Sequence, residues 1–179
     1  MKIAIFGGSF DPLHIGHVEI VNEALNYLNV DKLFIVPTYL NPLKKSSFAS
    51  AHLRLNWIKK VFSSQNKITI LDYEVKQNKP TASIKTVKFI KDNYSNIEKI
   101  YFIIGADNLS SLKNWHNYKE LSNLVEFVVA SRDEIKIPEN LIKLPINAKI
   151  SSSKLRSNMN KSFIPQIIED EITKYYDKK

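Results

Sequence analysis

The chain predicts an α/β fold, a Rossmann-like parallel sheet with helices on both faces. Short apolar runs alternate with amphipathic stretches along almost its whole length, and repeated βαβ units specify parallel strands joined by right-handed crossovers. Runs such as Ile100-Tyr101-Phe102-Ile103-Ile104 are almost continuously apolar, as expected of strands covered on both sides. A length of 179 residues gives room for one domain with a substantial core, spanning 1–179, and too little for two ordinary ones.

The elements follow in order. Strands are predicted over 2–6, 32–36, 68–71, 99–104 and 126–130, and helices over 15–28, 51–62, 83–93 and 117–124. Val18, Ile20, Val21, Ala24, Leu25 and Leu28 carry helical spacing in the first of these. Near the C-terminus, residues 145–149 read as irregular. Ser151, Ser152 and Ser153 then offer an N-cap to a short helix over 154–160. A last helix is predicted from Pro165, a residue favoured in a first turn, to about Tyr176.

Hydrophobic residues make up 44% and charged residues 25%, the balance of a globular protein rather than a disordered one. No apolar run reaches the roughly 18–20 residues needed to span a bilayer, and the N-terminus lacks the pattern of a signal peptide. Without cysteine, disulfides and thiolate metal sites are excluded, and a cytoplasmic protein is the expectation. The net charge of +8 is compatible with nucleic acid, a membrane surface or phosphorylated small ligands. The lysines are scattered rather than gathered into a stripe, which disfavours groove binding. Only three of the 26 basic residues are arginines, Arg54, Arg132 and Arg156. Arginine's planar fork suits phosphate; Arg54, mid-helix, reads as a surface residue.

Chemistry concentrates at the first strand's end. The run Ile3 to Phe6 leads into Gly7-Gly8, then Ser9, Phe10, Asp11 and Pro12, and on to a helix carrying His14 and His17. The glycine pair reads either as an ordinary tight turn or as an amide cradle for an anion. Asp11-Pro12 fits a cap followed by a first helical residue. Residues three apart share a helix face, so the two imidazoles can address one ligand, and phosphate oxygens suit their N–H groups. A metal pair would need further ligands, for which only His52 and His116 remain among histidines.

Gly7 to His17, GGSFDPLHIGH, resembles the glycine turn and HxGH motif of the nucleotidyltransferase superfamily. Ile150-Ser151-Ser152-Ser153-Lys154-Leu155-Arg156 resembles its second hallmark, ISSSxxR. The stretch Phe102 to Leu121, FIIGADNLSSLKNWHNYKEL, is similar to the GADxxxxLxxWxxxxEL run of bacterial nicotinate-nucleotide adenylyltransferases. The resemblance spans essentially the whole chain. It implies a nucleotidyltransferase-type fold and transfer of the adenylyl group of ATP to nicotinate mononucleotide. It assigns ATP binding to Gly7, Gly8, Ser9, Phe10, His14, His17, Gly105, Asp107, Ile150, Ser151, Ser152, Ser153 and Arg156. The mononucleotide falls to Gly8, Ser9, Lys44, Ser83, Thr86, Trp115, His116 and Arg132, with His14, His17, Lys44 and Arg156 serving catalysis. Mg²⁺ is expected to arrive with ATP, coordinated by phosphates and water, with no protein-bound metal. Neither nucleic acid nor membrane is an expected partner.

Two segments depart from the family pattern. Asn41-Pro42-Leu43-Lys44 stands where a PPHK-like loop is usual, without its histidine. Pro80-Thr81-Ala82-Ser83-Ile84-Lys85-Thr86 stands where a PSYTxxT-like segment is usual, with Ala82 replacing the tyrosine. Alternative acceptors are nicotinamide mononucleotide and phosphopantetheine. A non-catalytic nucleotide sensor or nucleic-acid module is the alternative from another class, and would bind oligonucleotides in a salt-dependent way without releasing pyrophosphate.

Overall fold

Six strands form one sheet in the order β3-β2-β1-β4-β5-β6, every neighbouring pair parallel. The computed structural model describes residues 1–131 and 135–177. The strands are β1 (Lys2–Gly8), β2 (Lys32–Pro37), β3 (Ile68–Ile70), β4 (Lys99–Gly105), β5 (Glu126–Ala130) and β6 (Ile142–Leu144). Helices α1 (Ile15–Tyr27), α2 (Ala51–Phe62), α3 (Tyr73–Lys76), α4 (Ser83–Asn93), α5 (Tyr118–Leu124), α6 (Ser152–Ser157) and α7 (Glu169–Tyr176) connect and cover them. Among the described residues no helix is long and apolar enough to cross a membrane.

The period of two along each strand builds two cores. Ala4, Phe6, Leu33, Ile35, Tyr101, Ile103 and Val128 face one side, where Trp57 and Ile58 of α2 and Ile172 of α7 pack. Ile3, Ile5, Phe34, Val36, Phe102, Ile104 and Val129 face the other, against Ile84, Val87 and Ile90 of α4 and Leu121 of α5. Alternating side chains therefore bury both faces, which is why these strands read as unbroken apolar runs. Each fully buried Leu, Ile or Phe contributes roughly 1.5–3 kcal/mol relative to exposure.

The chain moves outward from β1 to β2 and β3, then crosses back to β4 on the other side of β1. The crevice at the carboxyl ends of β1 and β4 is thus the topological switch point, where open α/β sheets bind ligands.

Several boundaries differ from the sequence expectation. Gly7 and Gly8 extend β1, pairing with Val36 and Pro37, and are not the turn; the left-handed residue of the connection is Phe10, at φ +49°. Helix α1 begins at Ile15 with His14 as its N-cap, so Asp11-Pro12 is neither cap nor first turn. The Asp11-Pro12 bond is cis, and Asp11 instead accepts from the N–H groups of Phe48 (2.7 Å) and Ala49 (3.0 Å). The short C-terminal helix spans Ser152–Ser157, capped by Ser151, whose Oγ accepts from Lys154 N–H at 3.1 Å. The last one is broken into a 3₁₀ turn, Gln166–Ile168, followed by α7. α3 and β6 were not expected, being too short for a periodic signal.

Candidate active site

The approach of α1 to β1 sets the site's centre. His14 N–H donates to His17 Nδ1 at 3.2 Å, closing the first turn of α1 on itself. With Nδ1 engaged as an acceptor, Nε2 is the nitrogen left to carry hydrogen on His17. The two rings stack at 3.7 Å and 23°, with Phe10 edge-on to His17 at 4.9 Å. His14 is only 5% exposed. Gly16 between them has a steric cause. A Cβ there would lie 3.1 Å from His14 Nδ1 and 3.2 Å from Ile150 Cγ2, so a side chain would push the His14 ring or the segment before α6 away by a few tenths of an ångström.

That segment brings the second motif to the first. Ser152 Oγ donates to Pro12 O at 2.9 Å, and Arg156 Nη1 donates to Asp11 O. The Arg156 guanidinium lies 4.2 Å over the Phe48 ring. Two motifs from opposite ends of the chain are therefore hydrogen-bonded to one another directly.

Phe10, His14, His17, Ser152 and Arg156 border one cleft of about 810 Å³ at the switch point, within the usual range for small-molecule sites. Gly7, Gly8, Ser9 and Phe10 form its floor, and His14 and His17 one side. Ile150, Ser151, Ser152, Ser153 and Arg156 lie beyond them, and Lys44 stands on the exposed loop between β2 and α2. Gly105 ends β4 and Asp107 follows it, and a Cβ on Gly105 would fall 2.4 Å from Asp107 Oδ1, so the carboxylate packs directly over the glycine. Ser83, Thr86, Trp115 and His116 line the same cleft. Arg132 lies outside the described residues, next to Ser131, which borders the cleft.

Among the lining groups, Glu74 and Thr38 were missed from sequence. Glu74 on α3 is 5% exposed and accepts from Thr86 Oγ1 at 2.6 Å. Its other oxygen, Oε2, is buried with no hydrogen-bond partner among the described residues. Burial pushes its carboxyl up to about 7, with the Thr86 bond acting in the opposite direction. Thr38 Oγ1 and Trp115 Nε1 are also buried and unpartnered among the described residues, and both residues line the cleft. Trp115 meets Phe102 edge-on at 6.2 Å. Nothing in local sequence marks Glu74, since its burial arises from packing between α3 and α4.

Arg54 corrects an expectation: it is fully buried, not a surface residue. Nε donates to Ala49 O at 3.1 Å, Nη2 to Tyr39 O at 2.8 Å, and Nη1 to Ser9 O. Burial pushes its guanidinium below the usual range, opposed by the nearby Asp11 charge. A signal was present, because Ala51, Arg54, Leu55, Ile58 and Phe62 form one buried stripe on α2 at helical spacing.

The comparisons with known proteins follow the same geometry. Residues 5–158 match the family model described as cytidylyltransferase-like. A relative from a Nitratiruptor species, named "Probable nicotinate-nucleotide adenylyltransferase", is 49% identical over 176 residues, covering 98% of this chain and 99% of its own. The chain belongs to the nicotinate-nucleotide adenylyltransferase family. A relative of the same name from Campylobacter jejuni subsp. jejuni is 48% identical, covering 99% of this chain and 98% of its own. Among solved structures, the Plasmodium falciparum nicotinic acid mononucleotide adenylyltransferase complexed with NaAD superposes with a TM-score of 0.79. It is 28% identical, covering 98% of this chain and 97% of that one. Family membership thus agrees with the resemblance read from GGSFDPLHIGH, ISSSKLR and the stretch after β4.

Proposed function

We propose that the chain, acting as one nucleotidyltransferase domain over residues 1–179, transfers AMP from ATP to the phosphate of nicotinate mononucleotide. The products are deamido-NAD and pyrophosphate. The observation that carries this reading is the one cleft lined by the two histidines, Lys44 and Arg156 together with Ser83, Thr86 and Trp115. Relatives of this family carry the corresponding activity in their names.

In the reaction an oxygen of the mononucleotide phosphate attacks the α-phosphorus of ATP. The bond from that phosphorus to the bridging oxygen breaks, and pyrophosphate leaves with the electron pair. The attacking group is already anionic near neutral pH, so no general base is needed, and the enzyme's work is positioning and charge stabilisation. His17 offers its Nε2 hydrogen, and His14 stands beside it, for the reacting phosphate. Phe10, Gly8 and Ser9 bring backbone groups close to the same atoms. Arg156 and Lys44 offset the charge that gathers on the pyrophosphate, and Ser151, Ser152 and Ser153 border its path.

Asp107 is suited to accept from ribose hydroxyls, next to Gly105 and Ile150 along the nucleoside. Trp115 stacks on the pyridine ring, with the His116 backbone, Ser83 and Thr86 around its carboxylate; Arg132 is assigned to the same acceptor. Among the described residues no cluster of three or more His, Asp or Glu could cage a metal. Mg²⁺ is hard and oxygen-seeking, and it suits the phosphates of ATP and water better than this donor set. When bound it supplies further neutralisation of phosphate charge. A cytoplasmic setting belongs to this proposal.

The test is pyrophosphate release from Mg-ATP with nicotinate mononucleotide, nicotinamide mononucleotide or phosphopantetheine as acceptor. The expected result is release with nicotinate mononucleotide well above the other two. Faster release with another acceptor, or none with any, would overturn it.

A further inference from the structure

Arg54 does not border the cleft, yet it holds three carbonyls from three separate segments: Ser9 in the turn after β1, Tyr39 after β2 and Ala49 before α2. The last two bracket the loop that carries Lys44, and the first belongs to the cleft floor. A guanidinium can do this because its five N–H groups fan out in one plane; an ammonium is a compact point charge.

The bond to Ser9 has a directional consequence. The cis bond among the described residues is Asp11-Pro12, so the Ser9–Phe10 peptide is trans, and in a planar trans peptide the C=O and N–H point in opposite directions. Turning the Ser9 carbonyl inward to Arg54 turns the Phe10 N–H outward, to the cleft that Ser9 and Phe10 line. A carbonyl that accepts from a cation also polarises its own amide, which makes that N–H a better donor. Phe10 takes the left-handed conformation, φ +49°, which is costly for a bulky residue and marks a backbone held for a purpose. Its buried ring is fixed between Phe6 at 5.4 Å and His17 at 4.9 Å.

We propose that Arg54 is a positioning residue for the adenylyl transfer, locking the Ser9–Phe10 peptide so that the Phe10 N–H donates to the ATP phosphate held by His14 and His17. This rests on the adenylyl-transfer reading given above. Asp11 makes the buried cation tolerable: it is itself buried and held by Phe48 N–H, Ala49 N–H and the Tyr176 hydroxyl. Arg54 therefore belongs both to this buried network and to the turn that lines the cleft, and its two roles need separate readouts.

The experiment compares Arg54→Lys and Arg54→Gln with Tyr176→Phe, which removes a hydrogen bond from the same network but leaves the donor to Ser9 O in place. Thermal melting, kcat and the KM for each substrate are measured for all three. The two Arg54 variants are expected to lose about 10²-fold in kcat per folded molecule, with the KM for nicotinate mononucleotide unchanged, whereas Tyr176→Phe melts lower and keeps the parent kcat. An Arg54→Lys protein with parental kcat, or a Tyr176→Phe protein that loses as much, would overturn the proposal. If neither Arg54 variant folds, the parent protein answers by amide NMR. Adding a non-hydrolysable ATP analogue should move the Phe10 amide proton downfield, and a resonance that stays in place sinks the proposal. A parent that shifts this resonance yet releases no pyrophosphate with nicotinate mononucleotide would instead overturn the acceptor assignment.

Discussion

The two ends of the cleft are built on opposite principles. Of the residues proposed for the phosphates, several are tied to backbone: Arg156 to Asp11 O, Ser152 to Pro12 O and Ser151 to Lys154 N–H, with Arg54 behind them on three carbonyls. At the acceptor end, Glu74 Oε2, Thr38 Oγ1 and Trp115 Nε1 are buried without a partner among the described residues. A satisfied network holds its geometry before the ligand arrives, which is what stabilising a developing charge requires. An unsatisfied buried group carries a desolvation cost of about 1–3 kcal/mol, which leaves that wall less stable and more open to change. The groups proposed for adenylyl transfer are thus held by hydrogen bonds within the chain, whereas those proposed for the acceptor keep polar atoms without a partner among the described residues.

The largest effect should come from the phosphate end. His17→Ala removes the Nε2 donor and is expected to lower turnover by about 10²–10³, or roughly 3–4 kcal/mol. It also removes the acceptor for His14 N–H, a capping contact whose loss costs about 1 kcal/mol of stability. Turnover per folded molecule, measured beside urea unfolding, separates the two. Near-parental turnover would mean the preorganised wall does not act on the reacting phosphate, and the contrast between the ends would lose its functional meaning.

The acceptor end can be tested through Glu74. Its folded-state pKa of about 7 stands above the ordinary 4.5. A raised pKa means that the folded protein holds the proton more tightly than the unfolded chain. The resulting stabilisation is complete below pH 4.5 and is lost as pH rises through 7. The difference of 2.5 units between those two values corresponds to about 3 kcal/mol. Glu74→Gln keeps an acceptor for Thr86 Oγ1 and never ionises. It should come close to the parent in urea unfolding at pH 4 and exceed it by about 3 kcal/mol at pH 8.5. A stability difference that is the same at both pH values would show that folding does not raise the Glu74 pKa.

These two ends also differ in how far sequence discloses them. The strands are legible because two-sided burial needs apolar residues at consecutive positions, and α2 and α4 were bounded correctly over Ala51–Phe62 and Ser83–Asn93. The motif residues converge because topology gathers strand ends, a constraint that acts before any side chain is placed. What was hidden depends on distant partners. Asp11 is oriented by Tyr176, 165 residues away, so local reading assigned it to the helix that follows it. Arg54 was given to the surface because charge outweighed its place in the buried stripe of α2. Glu74 was passed over because its environment exists only once α3 packs on α4.

Trp115 offers the finest test of the contrast, since its indole both lines the cleft and packs on Phe102. A stacking platform and a core residue make different demands on the same ring. If the indole stacks on the pyridine, Trp115→Ala removes an aromatic contact of about 0.5–1.5 kcal/mol. The KM for nicotinate mononucleotide should then rise by up to roughly tenfold, with the KM for ATP unmoved. Trp115→Phe keeps a smaller π-face and should recover part of the loss, without the indole N–H. If the ring serves only to pack Phe102, its removal loosens β4 up to Gly105, which lines the same cleft, and the two KM values rise together. Parallel rises would therefore assign Trp115 to the core and leave the acceptor end without a recognised platform; a selective rise fixes the pyridine on this wall.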